Sequence, residues 1–217
     1  MANMYVMGGG KGGVGKSTAA LSFFLTKKDA GGAKVFDGDD TNPDVSRALG
    51  LSSDSIVDPA DLAFWTLALD AAKTEDVIIS LPAGGERTFL ENAEAIGGAA
   101  KEDGVTIHFV STINKSRECL ILLKAALDQL DGTGVVPSVI LNLLHGEAAT
   151  FARFNNAKAI RTDISIAGGV EILLPELHYS VIDALISPGG RDLDKAPTLV
   201  KNLLSSWLKK LHANITI

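Results

Sequence analysis

Short apolar, β-branched runs alternate along this chain with longer stretches whose apolar residues recur at helical spacing. The runs are Tyr5-Val6-Met7, Lys34-Val35-Phe36, Val77-Ile78-Ile79, Val105 to Val110, Val136 to Leu141 and Val170 to Leu174. They lack the polar alternation of a half-exposed strand, so they are expected to be buried on both faces. Helical windows fall at about Lys16 to Lys28, 60–72, 87–102, 115–130, 147–160, 178–187 and 196–212. Gly31-Gly32 closes the first window in the manner of a helix C-cap. Strand and helix in strict alternation predict an α/β fold, a mostly parallel twisted sheet with helices on both faces. No repeat, low-complexity tract or linker interrupts it, so residues 1–217 are expected to form a single domain.

Composition narrows the classes. With 46% apolar and 21% charged residues over 217, the chain has the balance of a folded globular protein. The net charge is −6, unlike the basic excess of a constitutive nucleic-acid binder. Cys119 is the one cysteine, which excludes an internal disulfide and any site of several thiolates. No apolar run reaches the roughly 20 residues of a membrane span, and Met1 to Gly10 does not read as a secretory leader. A cytoplasmic location is expected.

The most specific segment is Gly10-Lys11-Gly12-Gly13-Val14-Gly15-Lys16-Ser17-Thr18. It satisfies the phosphate-loop pattern, and it lies between an expected strand and an expected helix. Glycines let backbone N–H groups turn inward around phosphates, and the helix start adds partial positive charge. Lys16 is expected to reach the β- and γ-phosphates of ATP, and the Ser17 hydroxyl to hold Mg²⁺, with Gly12 to Thr18 forming the cradle.

Lys11 is not required by an ordinary phosphate loop. Lys-Gly-Gly-Val-Gly-Lys-Ser from Lys11 to Ser17 resembles the deviant Walker A loop of the ParA/MinD family, short plasmid-partition or conjugal-transfer type. The resemblance implies an ATPase that forms a homodimer when ATP-bound, with Lys11 reaching the partner's nucleotide as a catalytic cation. It covers the whole chain in layout and about thirty residues in motif. Asp37-Gly38-Asp39-Asp40-Thr41-Asn42 looks like that family's acidic segment. On that register Asp37 lies by the Mg²⁺ shell and Asp39 orients the attacking water and serves the metal, though Asp39 and Asp40 could exchange roles. Pro82-Ala83-Gly84-Gly85 matches the family's switch, but Ser80 stands where its Walker B aspartate belongs. Slow hydrolysis is the expectation. Asn142, at the end of a strand, and Pro175 are placed by the resemblance beside the adenine.

The resemblance further implies a stimulating partner protein, of centromere-binding or conjugation type, and a surface that is held and released. DNA is one such surface, although Glu176 puts an acid where the DNA-binding branch often has arginine after the proline. A membrane is another, through the amphipathic last window with Leu199, Val200, Leu203, Leu204, Trp207, Leu208 and Leu211 on one side. Packing onto the sheet is the favoured reading of that stripe. The expected function is segregation or positioning of plasmid DNA or another cargo. The alternatives are a MinD-like membrane cycle and a conjugal-transfer accessory switch with weak hydrolysis. A ligase of the dethiobiotin-synthetase kind has no need of Lys11, and a nitrogenase-like iron protein needs two cysteines per subunit. Cys119, His108 and Trp65 read as core, and His145 and His178 as loop residues.

Overall fold

The computed structural model describes residues 2–27, 32–186 and 196–212. Six strands form one parallel sheet: β1 (Asn3–Gly8), β2 (Lys34–Asp37), β3 (Val77–Ser80), β4 (Thr106–Ile113), β5 (Val136–Asn142) and β6 (Glu171–Leu174). Their spatial order is β2-β3-β1-β4-β5-β6. The first strand is therefore central, with Met4 opposite Val77 on one side and Ile107 on the other. From β1 the chain runs to the edge strand β2, returns through β3, then crosses β1 and winds outward through β4, β5 and β6. Such a reversal leaves a crevice at the carboxyl ends of the inner strands, where ligands of open α/β sheets bind.

The helices divide between the faces. On one lie α1 (Lys16–Lys27), α2 (Asp44–Leu49), α9 (Tyr179–Ile186) and α10 (Thr198–His212). Their buried residues, among them Phe23, Val45, Val181, Leu204 and Trp207, pack on Tyr5, Met7, Ile78 and Ile140. The other face carries α3 (Leu62–Ala72), α4 (Arg87–Glu91), α5 (Ala93–Glu102) and α6 (Arg117–Leu130), with Trp65, Phe89 and Ile96 over Met4, Val6, Ile79 and Phe109. Beyond them α7 (Ala152–Asn156) and α8 (Lys158–Ile166) add Phe154 and Ile164 to a cluster with Cys119, Leu123 and Val139. The expected strands all form, and their continuous apolar runs reflect helices on both sides.

The departures have local causes. The expected acidic loop from Asp37 to Asp44 ends in a short helix, α2, closed by Gly50 at φ 57°. The window 87–102 breaks at Asn92, whose backbone (φ −116°, ψ 14°) leaves the helical region. The window 147–160 is not one helix: a turn at Ala148–Thr150 and two short helices replace it, because Phe151 and Ala157 have non-helical ψ angles of 45° and 64°. Lys28, Gly31 and residue 187, included in the expected helices and cap, lie outside the described residues. The Gly32 N–H does cap the Lys27 carbonyl at 2.9 Å.

The last helix docks. Val200, Leu204, Trp207 and Leu211 are buried, and the Trp207 indole donates to the Pro175 carbonyl at 2.8 Å. Most of its apolar stripe is thus used in the core, while Leu199, at the helix start, is exposed. Among the described residues no helix is long and apolar enough to cross a membrane. Trp65 is core as expected and donates to the Pro59 carbonyl at 3.0 Å. His108 stacks on Tyr5, and burial, helped by Lys27, lowers its pKa to about 4, so it is a neutral core residue.

Candidate nucleotide site

The glycine-rich loop leaves β1 at Gly8 and re-enters regular structure at Lys16, the start of α1. Two glycines explain why the sequence must be this one. Gly15 has φ +98°, and a Cβ there would lie 2.3 Å from the Asn142 amide nitrogen. Gly9 has φ +133° and would drive a Cβ to 2.5 Å from the Thr112 carbonyl. The loop is therefore pressed onto the ends of β4 and β5, with its open side facing outward. Val14 is fully buried beneath it and anchors its middle.

The resulting cavity has a volume of about 410 Å³. Gly12, Gly13, Gly15, Lys16, Ser17 and Thr18 form one wall. The opposite wall brings together Asp39, Asn42 and Asp44 from the β2–α2 segment with Ser80 to Ala83 after β3. Lys16 is buried, and its ammonium donates to the Lys11 carbonyl at 2.9 Å. Desolvation lowers the Lys16 pKa, opposed by the charges of Glu86 and Asp39. A cation held short of water at the start of a twelve-residue helix, beside a glycine cradle, is suited to an anion of several charges.

The acids of the β2–α2 segment take different places. Asp37 is 1% exposed and does not line the cavity. Its carboxylate accepts the Ser46 N–H at 2.9 Å and the Asp39 N–H at 3.3 Å, fastening α2 to the end of β2. Burial raises its pKa, against the pull of those backbone donors. Each oxygen of Asp37 thus accepts one backbone N–H group. Asp39 does face the cavity, with one oxygen accepting the Asn42 N–H at 2.8 Å. Asp40 lines a separate cavity behind Pro82, which separates its place from that of Asp39. Asp44 joins the site unforeseen, since nothing in its spacing shows that α2 begins there.

Ser80 is buried at the end of β3 and lines the cavity, while its carbonyl accepts the Gly38 N–H at 2.8 Å. Among the described residues no group of three or more His, Cys, Asp or Glu is placed to hold a metal ion alone. A hard cation here would draw on the Ser17 hydroxyl and on oxygens of its ligand. Two acids, Asp39 and Asp44, line the cavity itself. Residues 37–61 contain seven acids and one base, and the rest of the chain is charge-balanced.

Lys11 lies on the outer side of the loop, one-third exposed, in an ion pair with Glu118 at the start of α6. That pairing raises the Lys11 pKa. Asn142 is tied beneath the loop: its amide donates to the Val14 carbonyl at 2.8 Å and its oxygen accepts the Leu144 N–H at 3.1 Å. Neither Asn142 nor Pro175 lines the cavity, and the Pro175 carbonyl is held by Trp207. The structure thus gives Asn142 a strut's geometry under the loop, and a base-side contact would be an additional task.

No protein-family model matches the chain. It is 27% identical over 190 residues to Protein MobD of Acidithiobacillus ferrooxidans, covering 85% of this chain and 82% of that protein. Among solved structures it overlays the MinD cell division protein of Aquifex aeolicus over 100% of this chain and 99% of that one, with a TM-score of 0.54 and 16% identity. A nucleotide-binding protein of Archaeoglobus fulgidus in complex with ADP aligns over 89% of this chain and 88% of its own, with a TM-score of 0.49 and 15% identity. The fold is MinD-like.

Proposed function

We propose that this ParA/MinD-like chain, with residues 1–217 acting as one ATPase domain, binds ATP in the glycine-lined cavity and hydrolyses it to ADP and phosphate. The observation that carries the reading is the cradle itself: a buried lysine, a helix start and three glycines line one cavity at the switch point of the sheet. The backbone of Gly12 to Gly15 would bind the phosphates, and Lys16 would hold them by charge. The Ser17 hydroxyl would hold magnesium, which supplies neutralisation of phosphate charge when bound. Asp39 accepts a hydrogen bond from the attacking water and aims it. Asp39 and Ser80 together stand in for the absent Walker B carboxylate, and turnover is slow for that reason.

ATP closes a homodimer. Lys11 leaves its surface pair with Glu118, a pair that solvent already weakens, and reaches the partner's nucleotide. Hydrolysis reopens the dimer and releases a partner protein or surface, so that plasmid DNA or another cargo is segregated or positioned. The exposed acids of the segment from Asp39 to Asp61, and separately Glu176, disfavour DNA where they lie. The docked α10 makes membrane attachment dependent on undocking a helix whose apolar side chains are in the core.

Light scattering with and without a slowly hydrolysed ATP analogue tests the dimer. The mass doubles with the analogue and stays monomeric with ADP. A monomer in both conditions refutes the dimer cycle.

A further inference from the structure

A second cavity, of about 500 Å³, lies between the ends of α6 and α8. Val135 and Pro137 line it at the amino end of β5, whereas the phosphate loop sits at the carboxyl ends of the strands. Leu127 and Leu130 complete an apolar floor. Close backbone contacts hold the walls. Gly97 of α5 lies against Thr133, where a Cβ would stand 2.2 Å from the carbonyl oxygen, and Gly169 lies against the Pro137 carbonyl in the same way. The Thr133 hydroxyl donates to the Leu130 carbonyl at 2.7 Å and accepts the Val135 N–H at 3.3 Å, which fixes the turn after α6. A cavity held in this manner is formed before anything enters it.

The rim is acidic. Asp128, Asp131 and Asp163 share it with one base, Lys124. Lys124 pairs with Asp128 and lies 3.8 Å from Asp163. Asp131 is exposed and has no ion-pair partner among the described residues. Both α6 and α8 end at this rim, and helix C-termini add partial negative charge. The bases of α8, Lys158 and Arg161, line a separate hollow, where Glu171 holds Arg161 at 2.6 Å. Among the described residues no three acids are placed to hold a metal ion, so the rim offers separate charges rather than a chelate. It repels nucleic acid and anionic lipid and attracts cationic side chains. Beside the acids stands Ile166, at 81% the most exposed large apolar side chain among the described residues. An arginine suits the acids, because its planar fork fits a carboxylate while its stem covers apolar surface.

We infer that this cavity docks a segment of another protein in which an arginine stands beside an apolar residue, with Asp131 taking the guanidinium and Ile166 with the floor taking the apolar side chain. The cavity is at the far end of the sheet from the phosphate loop, so docking needs neither nucleotide nor dimer. It stands or falls separately from the proposed ATPase activity.

The test titrates two synthetic probes into the nucleotide-free full chain and follows backbone amide signals by NMR. One probe is an acetylated hexapeptide alternating arginine and leucine, and the other carries glutamate in place of each arginine. The arginine probe shifts the signals of residues 124–137 and 163–167, and the glutamate probe leaves them in place. Asp131→Lys weakens the arginine probe by about tenfold or more and Ile166→Ser by about fivefold, whereas Asp54→Lys, the same change of charge beside the edge strand β2, stays within about twofold. Asp131 and Ile166 are both exposed, and a lysine at the end of α6 suits the helix, so the variants keep the fold. Equal weakening by Asp131→Lys and Asp54→Lys reduces the attraction to net charge and overturns the inference. Arginine amide alone shifting the same signals as tightly makes the occupant a small cation, and overturns it. A light-scattering mass that rises with protein concentration in the wild type and not in Ile166→Ser makes the occupant a second copy, and overturns it. Absence of any shift with the arginine probe overturns it as well.

Discussion

The two walls of the cavity are built on different principles. The loop wall is mostly backbone: Gly12, Gly13 and Gly15 shape it, and Lys16, Ser17 and Thr18 extend it into α1. The facing wall is side chains on short segments: Asp39, Asn42 and Asp44 after β2, and Ser80 after β3. A backbone wall depends on which positions lack a Cβ, and it tolerates little change. A side-chain wall depends on where each residue is aimed, and neighbouring residues can take different sides. Asp37, Asp39 and Asp40 show this within four residues: one is buried under α2, one faces the cavity, and one lines the space behind Pro82.

Substitutions can break that contrast or sharpen it. The largest effect is expected for Lys16→Ala, which weakens nucleotide binding by about 100-fold or more, measured by calorimetry. Lys11→Ala leaves binding near the wild-type value and lowers turnover in the dimer. Equal loss of binding in both variants contradicts the separation of their roles. On the facing wall, Asp39→Ala lowers hydrolysis by about 100-fold with binding largely kept, whereas Asp40→Ala stays within about twofold. If phosphate release falls equally in the two, the geometry that divides them is not the one that matters. Beneath the loop, Asn142→Ala costs about 1–2 kcal/mol in denaturant unfolding, because it leaves the Val14 carbonyl unpaired. No loss of stability there would remove the strut role. A smaller gain is expected for Ser80→Asp, which raises turnover severalfold if the missing carboxylate limits placement of the cation. An unchanged rate shows that Asp39 already does that task.

The same contrast explains what was legible in the sequence. The sheet was, because each strand is a continuous apolar run and each connection a helical window. The loop was, because glycine spacing and Lys-Ser at a fixed offset describe a backbone shape directly. The dock of α10 followed from its one-sided stripe and is seen in Trp207 and Leu211. The facing wall was only partly legible. Asp37 matched a motif register, but its bond to the Ser46 N–H of α2 had no signal in the sequence. Asp44 was hidden because α2 is six residues long and has little periodicity to announce it. The break at Ala157 lies beside Phe151 and Phe154, which are buried in one cluster, a tertiary arrangement that helical spacing does not encode.

The claim under all of this is that the glycine cradle grips a nucleotide's phosphates with Lys16 as its charge. Calorimetric titration of magnesium and a slowly hydrolysed ATP analogue into the wild type and Lys16→Ala addresses it directly. Stoichiometric binding to the wild type and no measurable heat with a folded Lys16→Ala variant is the predicted result. A folded wild type that gives no heat, or a Lys16→Ala variant that binds as tightly, would contradict it.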